Sequence, residues 1–370
     1  MDLGMFLMPC HPPERAMYDK IEWDLQSVRW ADELGYTEAW FGEHFTFPWE
    51  PIVAPDLLIA QAALQTERIR LAPGTHLLPY HHPAELALRV AQLDHMLQGR
   101  LMVGFGAGGA PSDFELFQID GAAGEHRSRL AEALDIIVRM WTSEDDFDVD
   151  GEHWQVKYRP HVQQDVLQNW LKPLQRPHPP VAMAGGVSEK SPTLQLAGER
   201  GFIPLSFPIA SQYVAAGWDA YVEGAAGAGR EPDRSQWRIA RDVLVAETDA
   251  EARRLALHGP MRRFIDEYFF PLLRNFGALH VLKHDRDMPD GELTAEYVCD
   301  HIWVVGSPET VADKLAAQYD HFGGFGSVLL INYDFAEDPA VWRQSLELMV
   351  NEVMPRVAGL VPGSTAPAPV

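Results

Sequence analysis

Four short stretches of this 370-residue chain gather histidines, glycines and hydroxyl side chains where a strand-like pattern gives way to a helix-like one. Glu43 and His44 end an apolar run and precede the aromatic stretch "FTFPWE". A histidine there titrates near neutral pH, so it can exchange a proton or donate a hydrogen bond to an oxygen that gains charge. A structural histidine held by Glu43 is the other reading. The second stretch, "GTHLLPYHHP", places Gly74, Thr75, His76, His81 and His82 ahead of a helix opening at Pro83. His81 and His82 can cap that helix, pack the loop, touch a ligand or join His76 around a metal. Adjacent side chains diverge in an extended loop and no H-E-x-x-H pattern accompanies them, so no metal site is expected.

The third stretch, "GFGAGG", offers the backbone N–H groups of Gly106, Ala107 and Gly108 to an anion, or simply makes a tight turn. Its glycine spacing is not the dinucleotide fingerprint. The fourth is "AGGVSEKSPTLQLAGERG". Glycines including Gly186 lead through Ser188 and Lys190 to Ser191, Pro192 and Thr193, at the start of a helix. Free N–H groups and the positive helix end favour a phosphate there. Ordinary capping explains Ser191, but not the glycine–serine run before it.

Residues 68–109 show how these stretches are positioned. An apolar run at 69–75 reads as a strand, and Leu86, Val90, Leu93 and Leu97 recur at helical spacing behind Pro83. Gly99 suits the helix end, and a second strand follows at 101–105. Right-handed crossovers between parallel strands put both post-strand loops on one rim, where barrels and open sheets bind ligands. About eight such alternations run through the chain, with later strands expected at 181–184, 202–206, 237–246 and 328–332. The pattern predicts an α/β fold, a (β/α)8 TIM barrel with loop insertions. Residues 1–358 read as a single barrel domain, with insertions at about 142–179 and 258–301 and a flexible tail at 359–370.

Acidic residues outnumber basic ones by 53 to 30, a net charge of −23 that repels nucleic acid and anionic membrane. Two cysteines, Cys10 and Cys299, argue against a disulfide framework and suit the cytoplasm. No signal peptide or membrane span is expected.

The segments "ADELGYTEAWFGEH", "GTHLLPYHHPAELALRVAQLDHMLQGRLMVGFGAG", "SPTLQLAGERG", "VVGSPETVADKL" and "DPAVWRQSLELMVNEVMP" together resemble the bacterial luciferase-like flavin monooxygenases. The nearest type is the diketocamphane monooxygenases. The resemblance implies a TIM barrel that takes reduced FMN from a separate flavin reductase and uses dioxygen to oxygenate a small hydrophobic substrate. It favours Baeyer–Villiger oxidation of a cyclic or terpenoid-like ketone. A hydroxylating or epoxidising monooxygenase, a deazaflavin oxidoreductase on the same barrel, and a flavin-binding paralogue without turnover are the alternatives.

Carried over by motif, the resemblance makes His44 catalytic, with Glu43 and His82 beside it. It assigns Gly74, Thr75 and His76 to the flavin ring, with a cis peptide at Gly74-Thr75. It assigns Gly106, Ala107 and Gly108 to a flavin-side loop, and Gly186, Ser188, Ser191 and Thr193 to the phosphate. Bacterial luciferase has an arginine where this chain has Ala107, so that cationic contact is absent. Met5, Phe6, Met8, Phe45, Phe47, Trp49 and Phe207 are candidates for an apolar wall that excludes water. A homodimer is expected.

Overall fold

A computed structural model of the protein describes residues 1–161, 166–185 and 191–360. The first strands are β1 (Asp2–Cys10), β2 (Glu38–Phe41), β3 (Arg70–Pro73), β4 (His76–Leu77) and β5 (Val103–Gly106). β6 (Phe147–Asp150), β7 (Gln155–Tyr158), β8 (Val181–Ala184) and β9 (Ile203–Ser206) come next. β10 (Arg238–Arg241), β11 (Val243–Val245), β12 (Val304–Gly306) and β13 (Ser327–Tyr333) complete the set.

The main sheet runs β3-β2-β1-β13-β10-β9-β8-β5-β4, all parallel. β3 pairs with β2 and β4 with β5, so the two are halves of one strand interrupted at Gly74-Thr75, whose peptide bond is cis. Leu71 also bridges Leu101 in parallel. The sheet thereby closes on itself as the expected TIM barrel, with β3 and β4 sharing one staves's position.

Helices Met17–Leu34, Pro55–Ala63, Pro83–Met96, Glu125–Thr142, Pro192–Arg200, Ser211–Gly227, Pro308–Phe322 and Pro339–Leu348 surround it. Leu86, Val90, Leu93 and Leu97 are buried, so the spacing that predicted the third helix also seats it on the barrel. β5, β8, β9 and β13 are buried along their whole length, as parallel strands covered by helices outside and side chains inside must be. At the lower end Arg238 reaches across to Glu38 at 3.2 Å.

The structure departs from the expected elements in three places. The apolar run 237–246 is not one strand: β10 belongs to the barrel, whereas β11 leaves it to pair with β12, a strand the pattern did not reveal. The break falls at Asp242, which with Arg241 puts two charged residues in the middle of that run. Insertion 142–179 contains an antiparallel hairpin, β6–β7. Insertion 258–301 is largely helical, with helix Pro260–Phe264, a π-helical turn Ile265–Phe269, and helices Phe270–Asn275 and Ala295–His301. Among the described residues no helix is long and apolar enough to cross a membrane.

Candidate active site

The C-terminal ends of the barrel strands carry the expected stretches to one rim, but they do not give every residue the role its position suggested. β2 ends at Phe41, and the chain continues outward through Glu43 and His44. The His44 N–H donates to the carbonyl of Ile52 at 2.8 Å, so residues 44–52 fold back as a short flap over the rim. His44 is half-buried, with its ring stacked on Phe47 at 4.7 Å. Its Nε2 lies 2.8 Å from Glu50 Oε2. Burial alone would lower the His44 pKa, but Glu50 above all, then Asp113 and Glu43, outweigh it and raise it. Of the groups that could orient His44, Glu50 makes the contact; Glu43 does not.

Glu43 turns the other way. Its buried carboxylate accepts from the Leu77 N–H at 2.7 Å and faces His81 Nε2 at 3.0 Å and His76 Nδ1 at 3.4 Å. Burial would raise its pKa, but hydrogen bonds from both histidines hold it down at about 2. His76 is fully buried with a carboxylate at each nitrogen, Asp56 meeting Nε2 at 2.9 Å. Against the opposing effect of burial, Asp56 and Glu43 raise its pKa to about 9. Both ring nitrogens of His76 are thus engaged by carboxylates, which favours its protonated form. Glu43, His76 and His81 do bring one ligand atom each within 4.8 Å of one another, close enough for a metal.

His82 also differs from its expected catalytic place. It is exposed, caps helix Pro83–Met96 by accepting from the Ala84 N–H at 3.3 Å, and meets the edge of Trp154. These contacts are those of a helix cap. His81, one residue earlier, is the member of the pair that joins the carboxylate network.

The glycine loop lies against the interrupted strand. A Cβ at Gly106 would collide with Thr75 Oγ1, and one at Gly108, where φ is +72°, would lie 2.6 Å from Tyr80 Oη. Ala107 sits between them and packs on the core. The Tyr80 hydroxyl is buried and has no hydrogen-bond partner among the described residues. Beside it, Phe45, Tyr80 and Phe117 pack ring on ring, with centroids 4.6 to 5.4 Å apart. An orphaned hydroxyl beside a close-approach glycine is a cradle for a polar, planar ligand.

Ser191 is buried and caps helix Pro192–Arg200 by accepting from the Leu194 N–H at 3.2 Å. Thr193 stands half-buried in that helix's first turn, and Ser191, Gly185, Ser206 and Phe207 line one small depression. Gly186, Ser188 and Lys190 lie outside the described residues.

Of the suggested apolar wall, Met5 and Phe6 are barrel core, while Phe45, Phe47 and Trp49 gather on the flap. Met8 lines a small cavity with Phe264, Phe269, Ile331, Asp242 and Tyr333. Tyr333 donates to Asp242 at 2.7 Å, and burial pushes the Asp242 carboxyl up to about 6. His11 is buried between Asp334 at 2.7 Å and Asp24 at 3.2 Å. Although burial opposes it, Asp24 and Asp334 raise the His11 pKa to about 9. Sequence reasoning passed over Glu50 and Tyr268. The acid in "PWE" is the only available signal for Glu50, and nothing local marks Tyr268.

A family model described as luciferase-like monooxygenase matches residues 1–324. The 3,6-diketocamphane 1,6-monooxygenase of Pseudomonas putida is 34% identical, the match covering 96% of this chain and 98% of that protein. The 4-hydroxyprotoasukamycin monooxygenase of Streptomyces nodosus subsp. asukaensis is 35% identical over 99% of this chain and 95% of its own length. Among solved structures, the oxygenating constituent of 3,6-diketocamphane monooxygenase from the CAM plasmid of P. putida, a type II Baeyer–Villiger monooxygenase in complex with FMN, superposes with a TM-score of 0.88. It is 34% identical, covering 96% of this chain and 98% of that one.

Proposed function

Because the chain belongs to the luciferase-like monooxygenase family, we propose that it is an FMN-dependent monooxygenase performing a Baeyer–Villiger oxidation. In this reading it takes reduced FMN from a separate flavin reductase and uses dioxygen. One oxygen atom enters beside the carbonyl of a small hydrophobic ketone, cyclic or terpenoid-like, giving an ester or lactone. The observation that carries the reading is His44, held at the rim on the same side as the glycine cradle of Thr75, Gly106, Gly108 and the Tyr80 hydroxyl, which has no partner among the described residues.

The residues present fit the cofactor. Thr75, Tyr80 and the loop at Gly106, Ala107 and Gly108 would hold its ring and side chain, and Ser191 with Thr193 would meet its phosphate at a helix start. Bound FMN supplies the reduced flavin that activates dioxygen. The protein's part is to orient, exclude water and stabilise charge. Phe45, Phe47 and Trp49 on the flap wall the rim against solvent. His44 donates a hydrogen bond to the ketone oxygen as negative charge develops on it.

Purified chain, FMN, NADH and a flavin reductase should convert such a ketone to a lactone that carries oxygen from isotopically labelled dioxygen. His44→Ala should go on consuming reduced flavin and dioxygen while product falls and hydrogen peroxide rises. NADH oxidation by the chain alone, or ketones that give no ester or lactone, would sink the proposal.

The expected homodimer belongs to the same reading. Leu57 and Leu64, seven residues apart along helix Pro55–Ala63 and its cap, are 65% and 90% exposed, and a second copy would cover them.

A further inference from the structure

His44 does not stand alone on the rim. Glu50, six residues on, is buried, and its two oxygens are divided between two partners. Oε2 faces His44 Nε2 at 2.8 Å. Oε1 accepts from the Tyr268 hydroxyl at 2.7 Å, a contact spanning 218 residues of sequence. Tyr268 sits in the π-helical turn Ile265–Phe269, a local widening of a helix that recurs at functional sites. Its ring stacks on Trp49 at 5.8 Å, and Phe47, which stacks on His44, meets Tyr268 edge-on at 6.2 Å. The flap and the 258–301 insertion are therefore joined through aromatic faces on one side and a shared carboxylate on the other.

This arrangement selects an atom. Nε2 is committed to Glu50, and Nδ1 has no partner among the described residues. The remaining nitrogen is the one left to meet a ligand. We propose that Glu50 is a positioning residue that fixes the ring of His44 with Nδ1 toward the reacting atoms. Tyr268, in this proposal, locks Glu50 and so ties the geometry of His44 to the helical segment 260–275. The proposal rests on the oxygenase reading above for the word "reacting", but the relay itself belongs to the protein without flavin.

The chemistry follows from the charges. An imidazolium can give a hydrogen bond from Nδ1 to an oxygen that gains charge while Glu50 balances it at Nε2. The acids that bear on His44 are Glu43 and Glu50 from its own loop and Asp113 from helix Pro111–Phe117. Cys10 on β1 and Tyr268 bear in turn on Glu50. Glu43 is engaged by His76 and His81, and Asp113 accepts from the Thr46 hydroxyl at 2.5 Å, which leaves Glu50 as the acid in contact. Removing the charge of Glu50 should thus make His44 a weaker base, whereas removing the Tyr268 hydroxyl leaves that charge in place and loosens only its position.

The test is a titration of the His44 ring by NMR in flavin-free protein labelled in its histidines, with the resonance assigned by its loss in His44→Asn. Glu50→Gln should move the midpoint to lower pH by about one unit or more. Tyr268→Phe should not lower it. Both should reduce product formed per dioxygen consumed, by about tenfold or more for Glu50→Gln, with flavin affinity by fluorescence titration unchanged. An unmoved midpoint in a folded Glu50→Gln protein overturns the relay. If Glu50→Gln does not fold, a Tyr268→Phe protein with wild-type coupling overturns it instead. A midpoint that moves in a protein that binds no FMN and oxidises no ketone keeps the relay and refutes the oxygenase reading.

Discussion

Three of the rim histidines have been given different work by their partners. His76 and His11 each sit between two carboxylates and are held protonated to about pH 9, against an ordinary value of 6.5. A histidine whose pKa is raised on folding stabilises the native state fully below its unfolded value and loses that contribution as pH rises through the folded value. Unfolding free energy from urea melts should therefore decline between pH 6.5 and about 9. A second loss belongs to Glu43, whose contribution is present above its ordinary 4.5 and disappears as the pH falls toward about 2. Replacing His76 with Ala takes one partner from each of Glu43 and Asp56 in the interior, leaving Glu43 to His81 and Leu77 and Asp56 to Arg89, which costs about 3 kcal/mol. A flat melt profile from neutral to alkaline pH in the wild type would show that these histidines are not cations. His82, only six residues beyond His76, is an exposed cap, and no local pattern separates the two.

At the scale of elements, the start of helix Pro192–Arg200 carries a cap and, in the function proposed above, the flavin phosphate. Ser191 caps it through the Leu194 N–H, whereas Thr193 makes no such bond among the described residues. Ser191→Ala should lower stability by about 1 kcal/mol through the lost cap. Thr193→Ala should spare folding but weaken FMN binding by about 1 kcal/mol. Urea melts and flavin fluorescence titration separate the two effects. Unchanged flavin affinity in the double variant would move the phosphate to the loop at Gly106–Gly109. This helix was legible because serine, proline and a glycine stop at Gly201 are local signals. β12 was not, since three apolar residues mark a strand only when a partner such as β11 exists for them to join.

Over the whole molecule, a charge of −23 sets a repulsion that an apolar interface must outweigh for two copies to associate. Leu57 and Leu64 offer such a surface on the outer face of helix Pro55–Ala63. Placing Asp at both positions should convert a dimer to a monomer in light scattering without unfolding the barrel, because both side chains are largely exposed. A wild-type protein that is monomeric at high concentration would remove the proposed dimer.

The barrel itself was written in the chain, because helix and strand periods are local properties and each crossover has only one favoured hand. Those two rules place Glu43, His44, the glycine loop and Ser191 on one rim. Which partner each polar group meets was decided only when the barrel closed. Glu43 chose His76 and His81, and Glu50 met a tyrosine 218 residues away. A buried carboxylate is stabilised by whatever donor the tertiary fold brings within about 3 Å, and no period in the sequence encodes that distance.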